Sequence, residues 1–117
     1  MILFDTNIWI QFFKGKREGE TLQKALLGET VVMHPYIKGE LLLGGINVEL
    51  EILIDALPIL NTPNYSKILD FIKSKRIEGI GWVDSVLLFC ALENQAKLKT
   101  LDKKLNIQYQ TLTNSKQ

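Results

Sequence analysis

The stretch ILFDTNIWI, residues 2–10, decides how this chain is interpreted, because three apolar residues lead directly into a carboxylate, a hydroxyl and an amide. The run at 2–4 is typical of a short buried strand, and Thr6 or Asn7 can cap a helix that begins after it. Asp5 would then end a buried strand, where a carboxylate contributes little to packing. Its position favours chemistry only if other acids meet it there.

Strand and helix signals alternate along the rest of the chain. Further strands are predicted at residues 30–33, 58–60, 98–101 and, as an alternating edge strand after a turn at 102–105, residues 107–112. Further helices are predicted at residues 20–27, 35–44, 47–57, 64–76 and 82–95. Alternation of this kind predicts an α/β fold with a mostly parallel central sheet flanked by helices on both faces.

Length and composition are those of an ordinary globular domain. With 117 residues, 46% apolar and 23% charged, the chain is predicted to form one domain over residues 1–117. The net charge of +1 gives no strong overall attraction to nucleic acid. A single cysteine, Cys90, excludes an internal disulfide and is predicted to be a buried thiol. No apolar run approaches the roughly 20 residues that span a bilayer, so we expect a cytoplasmic protein that does not associate with membranes.

Four acids occupy positions where packing alone does not favour them. Asp5 and Asp102 each follow a predicted strand, and Glu40 and Asp84 lie on predicted helices beside apolar residues. Each acid alone has a structural explanation: a turn or cap for Asp5 and Asp102, the first turn of a helix for Asp84, and a side chain that reaches solvent for Glu40. Together they would repel, because two carboxylates about 5 Å apart repel by on the order of 3 kcal/mol at an effective dielectric near 20. Their convergence, which spacing alone leaves open, would favour Mg²⁺ or Mn²⁺, which prefer oxygen ligands.

Other chemistries lack the residues that they need. His34 is the only histidine and precedes Pro35, so it is predicted to be a turn residue, and a mechanism with two histidines is excluded. The glycine-rich phosphate-binding motifs and the nucleophile-elbow motif are absent. A dehalogenase-type phosphatase would need a second aspartate where Asn7 stands, and a phosphoacceptor receiver domain would need one where Asn61 stands. Carboxylates with a metal ion remain.

Four sequence blocks resemble the PIN domain, and specifically the VapC-type toxins of bacterial toxin–antitoxin pairs. The blocks are ILFDTNIWI, YIKGELLLG, GWVDSVLLFCAL and LKTLDKKL, in that order, and together they extend over nearly the whole chain. The resemblance implies a parallel sheet flanked by helices. It also implies a metal-dependent endoribonuclease that a small antitoxin protein inhibits.

The resemblance also implies which residues act. The acids carried over from the family are Asp5, Glu40, Asp84 and Asp102, of which Asp102 ranks below the others. They would hold one or two Mg²⁺ or Mn²⁺ ions that activate a water against a phosphodiester. Thr6 matches the family's hydroxyl position beside the first acid, and Ser85 would support the acid before it, Asp84.

Basic and apolar surfaces give the expected partners. Basic residues near the acids are predicted to contact the RNA backbone: Lys14, Lys16, Arg17, Lys103 and Lys104. The first two helices are very apolar for a small domain, which predicts a groove for the antitoxin or a homodimer face. The alternatives are a DNA-directed nuclease with the same chemistry, and an inactive RNA- or protein-binding module on the same fold, against which four intact acids argue.

Overall fold

A computed structural model of the chain describes residues 1–114, so the last three positions of the predicted domain lie outside the described residues. The elements, in chain order, are β1 (Ile2–Phe4), α1 (Thr6–Phe13), a 3₁₀ turn (Arg17–Gly19), α2 (Glu20–Leu27), β2 (Val31–Val32), α3 (Pro35–Leu43), α4 (Val48–Asp55), α5 (Tyr65–Lys75), α6 (Trp82–Glu93), β3 (Lys97–Lys99) and α7 (Lys103–Asn114). The alternation confirms the α/β fold that the sequence predicts.

The sheet is parallel and has β1 at its centre. Its strand order among the described residues is β2-β1-β3, with Ile2 opposite Val31 and Leu3 opposite Leu98. The strand predicted at 58–60 is reduced to a single parallel bridge between Met33 and Ile59. Because all pairings are parallel, the carboxyl ends of the strands lie at one edge of the sheet, where α/β folds form their functional crevice.

Helix α6 is the most deeply buried helix and fixes the position of the acid in its first turn. Leu87, Leu88 and Ala91 join the main core against the sheet, while Val86 and Cys90 pack with Ile68 of α5 in a second cluster. The prediction of a buried Cys90 is therefore confirmed. Within residues 1–114, no helix combines the length and the apolar composition needed to cross a membrane.

The predicted turn at 102–105 and edge strand at 107–112 are wrong, because this segment forms α7. Leu105 is fully buried, and Tyr109 and Leu112 pack against the core from the same helix face. Their spacing of four and three residues is helical, and it prevails over the alternation of polar and apolar residues. The backbone N–H of Leu105 donates to Oδ1 of Asp102 at 2.9 Å, so Asp102 caps this helix.

Three further details differ from the prediction. The first helix is capped by Asp5 rather than by Thr6 or Asn7, since the N–H of Thr6 donates to Oδ1 of Asp5 at 2.8 Å. The second strand covers only Val31–Val32 of the predicted 30–33. The strand predicted at 98–101 is Lys97–Lys99, so Thr100 and Leu101 separate it from Asp102. These differences leave the order of elements unchanged.

His34 was predicted to be a turn residue, but it is a fully buried side chain at the N-cap of α3. Its Nδ1 accepts the N–H of Tyr36 at 3.0 Å, so the neutral ring carries its proton on Nε2. Nε2 lies 2.8 Å from the hydroxyl of Thr62 and 3.5 Å from Sγ of Cys90. The ring therefore joins the end of the β2 segment to α6 and to the loop before α5. The sequence did not indicate this role, because His34 precedes Pro35 and an X-Pro pair is typical of turns.

Candidate active site

Asp5 lies directly after β1 and is held by the neighbouring strand. Its backbone N–H donates to the carbonyl of Lys99 at 2.9 Å, and the residue is only 7% exposed. Oδ1 accepts the N–H of Thr6, and Oδ2 accepts the hydroxyl of Thr100 at 2.8 Å. Each carboxylate oxygen retains acceptor capacity beyond these bonds, so the group is oriented and still able to take a ligand.

Thr100 connects Asp5 to Asp102. Its hydroxyl donates to Asp5 and accepts the N–H of Asp102 at 3.0 Å. Oδ1 of Asn7 accepts the N–H of Leu101 at 3.3 Å, which attaches the loop after β3 to the residues after β1. Asp5, directly after β1, and Asp102, three residues after the end of β3, are thus held at one edge of the sheet by a hydrogen-bonded frame.

Glu40 reaches the same edge from α3. The hydroxyl of Thr6, one residue after Asp5, donates to Oε1 of Glu40 at 3.2 Å. Glu40 is solvent-exposed, so its carboxylate is attached to this frame by the threonine rather than by burial.

Asp84 lies in the first turn of α6 and responds electrostatically to the other three acids. Burial, followed by the charges of Asp5, Asp102 and Glu40, raises its pKa from 3.8 to about 6. Like charges raise a carboxyl pKa only when they lie close by. The four acids that the sequence singles out are therefore brought together at the carboxyl ends of β1 and β3.

A comparison with protein families gives this arrangement its context. The sequence model of the PIN domain family matches residues 2–108, a span that contains all four acids. The chain belongs to the PIN domain family. Members of this family are generally nucleases and generally use divalent metal ions. No curated protein matches the sequence, so the family is identified without a subgroup.

Two residues of the PIN domain's acidic edge, Thr100 and Asn7, were not predicted as site residues. Thr100 directly follows β3, at the position that Asp5 occupies after β1. That equivalence was the available signal, because side chains just beyond parallel strands share one edge of the sheet. Asn7 gave no separate signal, since its bond to the backbone of Leu101 depends on tertiary structure.

The two predicted supporting hydroxyls differ in what they contact. Thr6 donates to Glu40, as described above, and so contacts one of the acids. Ser85 is buried and donates to the carbonyl of Gly81 at 2.9 Å, within the first turn of its own helix. The structure thus places Ser85 beside Asp84 in sequence and gives its hydroxyl a backbone partner.

The predicted RNA-contacting residues differ in whether they adjoin one of the acids. Lys14 shares the lining of a cleft of about 390 Å³ with Glu40, and Lys103 and Lys104 directly follow Asp102 at the start of α7. Lys16 lines a separate pocket of about 250 Å³ with Glu20 and Gln23, and Arg17 begins the 3₁₀ turn. All five are exposed, and three of them either share a cleft with Glu40 or are next to Asp102 in sequence.

No Lys, Arg or His side chain among the described residues forms an ion pair with the four acids. In residues 1–114, the one ion pair joins Lys38 to Asp55. The same residues contain no group of three or more Asp, Glu, His or Cys side chains arranged as a preformed metal site. The features that suit the acids to a divalent ion are their oxygen donors and their unbalanced charge.

Proposed function

We propose that this PIN domain is a metal-dependent endoribonuclease and the toxin of a VapBC-type toxin–antitoxin pair. The observation that supports the proposal most strongly is the convergence of Asp5, Glu40, Asp84 and Asp102 at one edge of the sheet, with no ion-pair partner among residues 1–114. Unbalanced carboxylates at the carboxyl ends of parallel strands are destabilising as structure. They are useful as ligands for a hard divalent ion.

In this proposal the four acids hold one or two Mg²⁺ or Mn²⁺ ions. Such an ion, when bound, lowers the pKa of a bound water and offsets negative charge on the phosphate oxygens. The chain's own residues orient its ligands, since Thr100 fixes Asp5 and Thr6 fixes Glu40. Asp102 also caps α7, so its carboxylate is less available to a metal ion than that of Asp84. For this reason the proposal ranks Asp102 below the other acids as a ligand.

The substrate in this proposal is RNA, with phosphates held by basic side chains around the acids. Lys14, Lys103 and Lys104 are exposed and near Glu40 or Asp102, so they support this role directly. Lys16 lines a different pocket and Arg17 begins the 3₁₀ turn, and in this proposal they contact a longer RNA. The acids themselves repel a polyanion, so such lysines are needed for binding.

The antitoxin partner is supported by an apolar cleft next to Glu40. Trp9, Leu22 and Ala25 of the first two helices are buried, so the cleft, rather than the whole of these helices, is the surface available to a partner. The cleft of about 390 Å³ lies between α1, α3 and α4, and its apolar lining consists of Ile10, Phe13, Leu41, Ile46 and Leu50. An antitoxin segment seated there would also cover Glu40, which would explain inhibition.

The proposal includes a homodimer and a cytoplasmic location. Leu43 is 90% exposed, and Val48 and Ile52 of the next helix are also exposed. In this proposal a second copy covers these exposed apolar side chains of α3 and α4. The single, buried Cys90 is compatible with a reducing compartment.

The test is cleavage of total RNA by the purified, antitoxin-free chain in Mg²⁺ or Mn²⁺, with and without chelator. Asp84→Asn is compared with Asp70→Asn, which changes an exposed acid of α5 in the same way. We expect discrete fragments that require the metal ion, disappear with Asp84→Asn and persist with Asp70→Asn. Equal cleavage by both variants, or cleavage that chelator leaves unchanged, would contradict the proposal.

A second candidate is an inactive binding module, and the absence of a preformed metal site among the described residues favours it. A titration of the folded chain with Mn²⁺ separates the two. A module whose acids bind basic side chains of a partner would neither take up the ion nor cleave RNA.

A further inference from the structure

A groove that the four acids do not use runs along the outer edge of β3. It has a volume of about 500 Å³ and lies between β3 and α7. Its strand wall includes Lys97, Lys99 and Thr100, and its helix wall includes Asn106, Gln110 and Thr113. Both walls are mainly polar, unlike the cleft beside Glu40.

The groove exists because β3 is the last strand on its side of the described sheet. The N–H of Lys97 donates to the carbonyl of Met1, and the carbonyl of Lys99 accepts the N–H of Asp5. Backbone groups of alternate residues point to opposite sides of a strand, so those of Leu98 face the groove. The edge therefore offers hydrogen-bonding groups that β1 does not use.

Helix α7 turns a polar stripe toward this edge. Asn106, Gln110 and Thr113 are spaced by four and three residues, so they lie on one helix face. The amides of Asn106 and Gln110 form no hydrogen bond with other described side chains or backbone groups. Amide side chains that are free to donate and accept suit the edges of nucleobases.

The groove is continuous with the acidic edge through one residue. Thr100 lines the groove and also donates to Asp5 and accepts the N–H of Asp102. A chain lying in the groove would therefore reach the carboxylates at its end near Thr100.

The charge of the groove fits a polyanion. Lys97 and Lys99 are exposed and project from the same side of β3, since side chains alternate along a strand. No Asp or Glu is among the residues that line the groove. The four acids repel phosphates, so a bound RNA needs cationic contacts beyond them, and these two lysines are placed for that purpose.

We infer that the β3–α7 groove holds the single-stranded RNA segment adjacent to the cleaved phosphate, with Lys97 and Lys99 on its backbone and Asn106 and Gln110 on its bases. This inference rests on the proposed ribonuclease function and identifies the path that the substrate takes. The two lysines supply affinity, and the two amides supply a preference for particular bases.

The first experiment measures binding of a short fluorescein-labelled single-stranded RNA of mixed sequence by anisotropy, in the full chain carrying Asp84→Asn. Adding Lys97→Ala and Lys99→Ala removes two phosphate contacts, so the Kd is expected to rise about 10- to 30-fold at 0.1 M salt. The slope of log K against log salt is expected to fall by about 1.4. The matched control is Lys73→Ala with Lys75→Ala, two exposed lysines of α5 outside the groove.

A second variant tests the helix wall without touching the lysines. Gln110→Glu places a carboxylate in the groove and is expected to weaken RNA binding on the order of fivefold by charge repulsion. Thr111→Glu makes the same charge change one residue away, at an exposed position that does not line the groove. It is expected to leave the Kd near that of the parent chain.

Cleavage by the chain with an intact Asp84 separates this inference from the proposed function. The lysine pair is expected to raise KM with little change in kcat, because it binds RNA away from the reacting phosphate. Metal-dependent cleavage with unchanged KM and Kd in both groove variants would overturn the inference but not the proposed ribonuclease function. The open edge of β3 would then be available to pair with a peptide strand instead of RNA. Absence of both RNA binding and cleavage in the parent chain would overturn both.

Discussion

This PIN domain has two polar clusters that differ in charge. The cluster around His34 is neutral, and the cluster of four acids has unbalanced negative charge. The ring of His34 is fully buried, and both of its nitrogens have a partner within hydrogen-bond distance. Burial lowers its pKa to about 4, so it is neutral at physiological pH. Burial also shifts the pKa of Asp84, in this case upward, and three other carboxylates add to the rise.

This difference distinguishes a cluster that stabilises the fold from a cluster that is suited to function. The histidine pocket is neutral and satisfied within the chain, so it stabilises the native state. The acids repel each other and find no cation among the described residues. Mutual repulsion that the chain does not relieve is a mark of functional sites, and each prediction below changes one of these two clusters.

The largest expected effect is on catalysis. Asp84→Asn removes a proposed metal ligand, so we expect RNA cleavage to fall on the order of 100- to 1,000-fold, as when a charge-stabilising group is removed from an active site. His34→Asn should leave kcat per folded molecule near that of the parent chain, because the ring lies outside the acidic edge. Single-turnover cleavage of one labelled RNA checks both. Comparable loss in the two variants would break the distinction between the clusters.

Removing the ring of His34 should have the largest effect on stability. His34→Ala leaves a cavity and deprives Thr62 and the N–H of Tyr36 of their partner, so we expect about 3 kcal/mol of destabilisation. His34→Asn keeps an N-cap acceptor and should recover about 1 kcal/mol of that loss. Urea unfolding followed by circular dichroism gives both values. If Asn and Ala were equally destabilising, the capping role of the ring would be refuted.

The pH dependence of stability follows from the same histidine. Its pKa is about 4 when folded and near 6.5 when unfolded, so between these values the unfolded state binds the proton. The contribution to stability is complete above pH 6.5 and is lost as the pH falls toward 4, by on the order of 3 kcal/mol.

Urea titrations of the parent chain and His34→Asn between pH 4 and 7 measure this contribution. The variant should show a flatter dependence on pH, because Asn does not titrate. Parallel curves for the two proteins would mean that His34 does not govern acid sensitivity.

A smaller effect is expected at the frame that orients the acids. Thr100→Val keeps the shape of the side chain and removes the hydroxyl that joins Asp5 to the N–H of Asp102. We expect a loss of about 1 kcal/mol of stability and a cleavage rate lower by roughly tenfold through misorientation of Asp5. Thr111→Val, at an exposed position of α7, is the control and should change neither quantity.

Much of the fold could be predicted because local and tertiary preferences agree. The run at 2–4, the Pro35 start of α3 and the apolar α6 gave clear signals, and the parallel sheet followed from their alternation. The segment 107–112 was mistaken for a strand because Ile107, Gln108 and Tyr109 alternate locally. Burial of Leu105, and the cap that Asp102 provides, decide for the helix.

The acids of the candidate site could be picked out from the sequence, but the hydrogen bonds that hold them in place could not. Asp5, Glu40, Asp84 and Asp102 stand out as acids beside apolar chain, which sequence alone reveals. Thr100 and Asn7 are ordinary loop residues until the ends of β1 and β3 are brought together. His34 lost its signal for a related reason, because its partners Thr62 and Cys90 are distant in sequence.

The central claim is that the four acids repel one another until a divalent ion joins them, and thermal unfolding with and without Mn²⁺ tests it directly. The folded pKa of Asp84 is above its unfolded value, so in chelator its ionisation lowers stability as the pH rises from about 4 through 6. Asp84→Asn should therefore melt at a higher temperature than the parent chain at pH 7.5 in chelator. The two should melt alike near pH 4.

Addition of Mn²⁺ should then raise the melting temperature of the parent chain by mass action. It should raise that of Asp84→Asn much less. A variant that is less stable than the parent in chelator, together with equal stabilisation of both proteins by Mn²⁺, would contradict the claim that these acids form the ion's site.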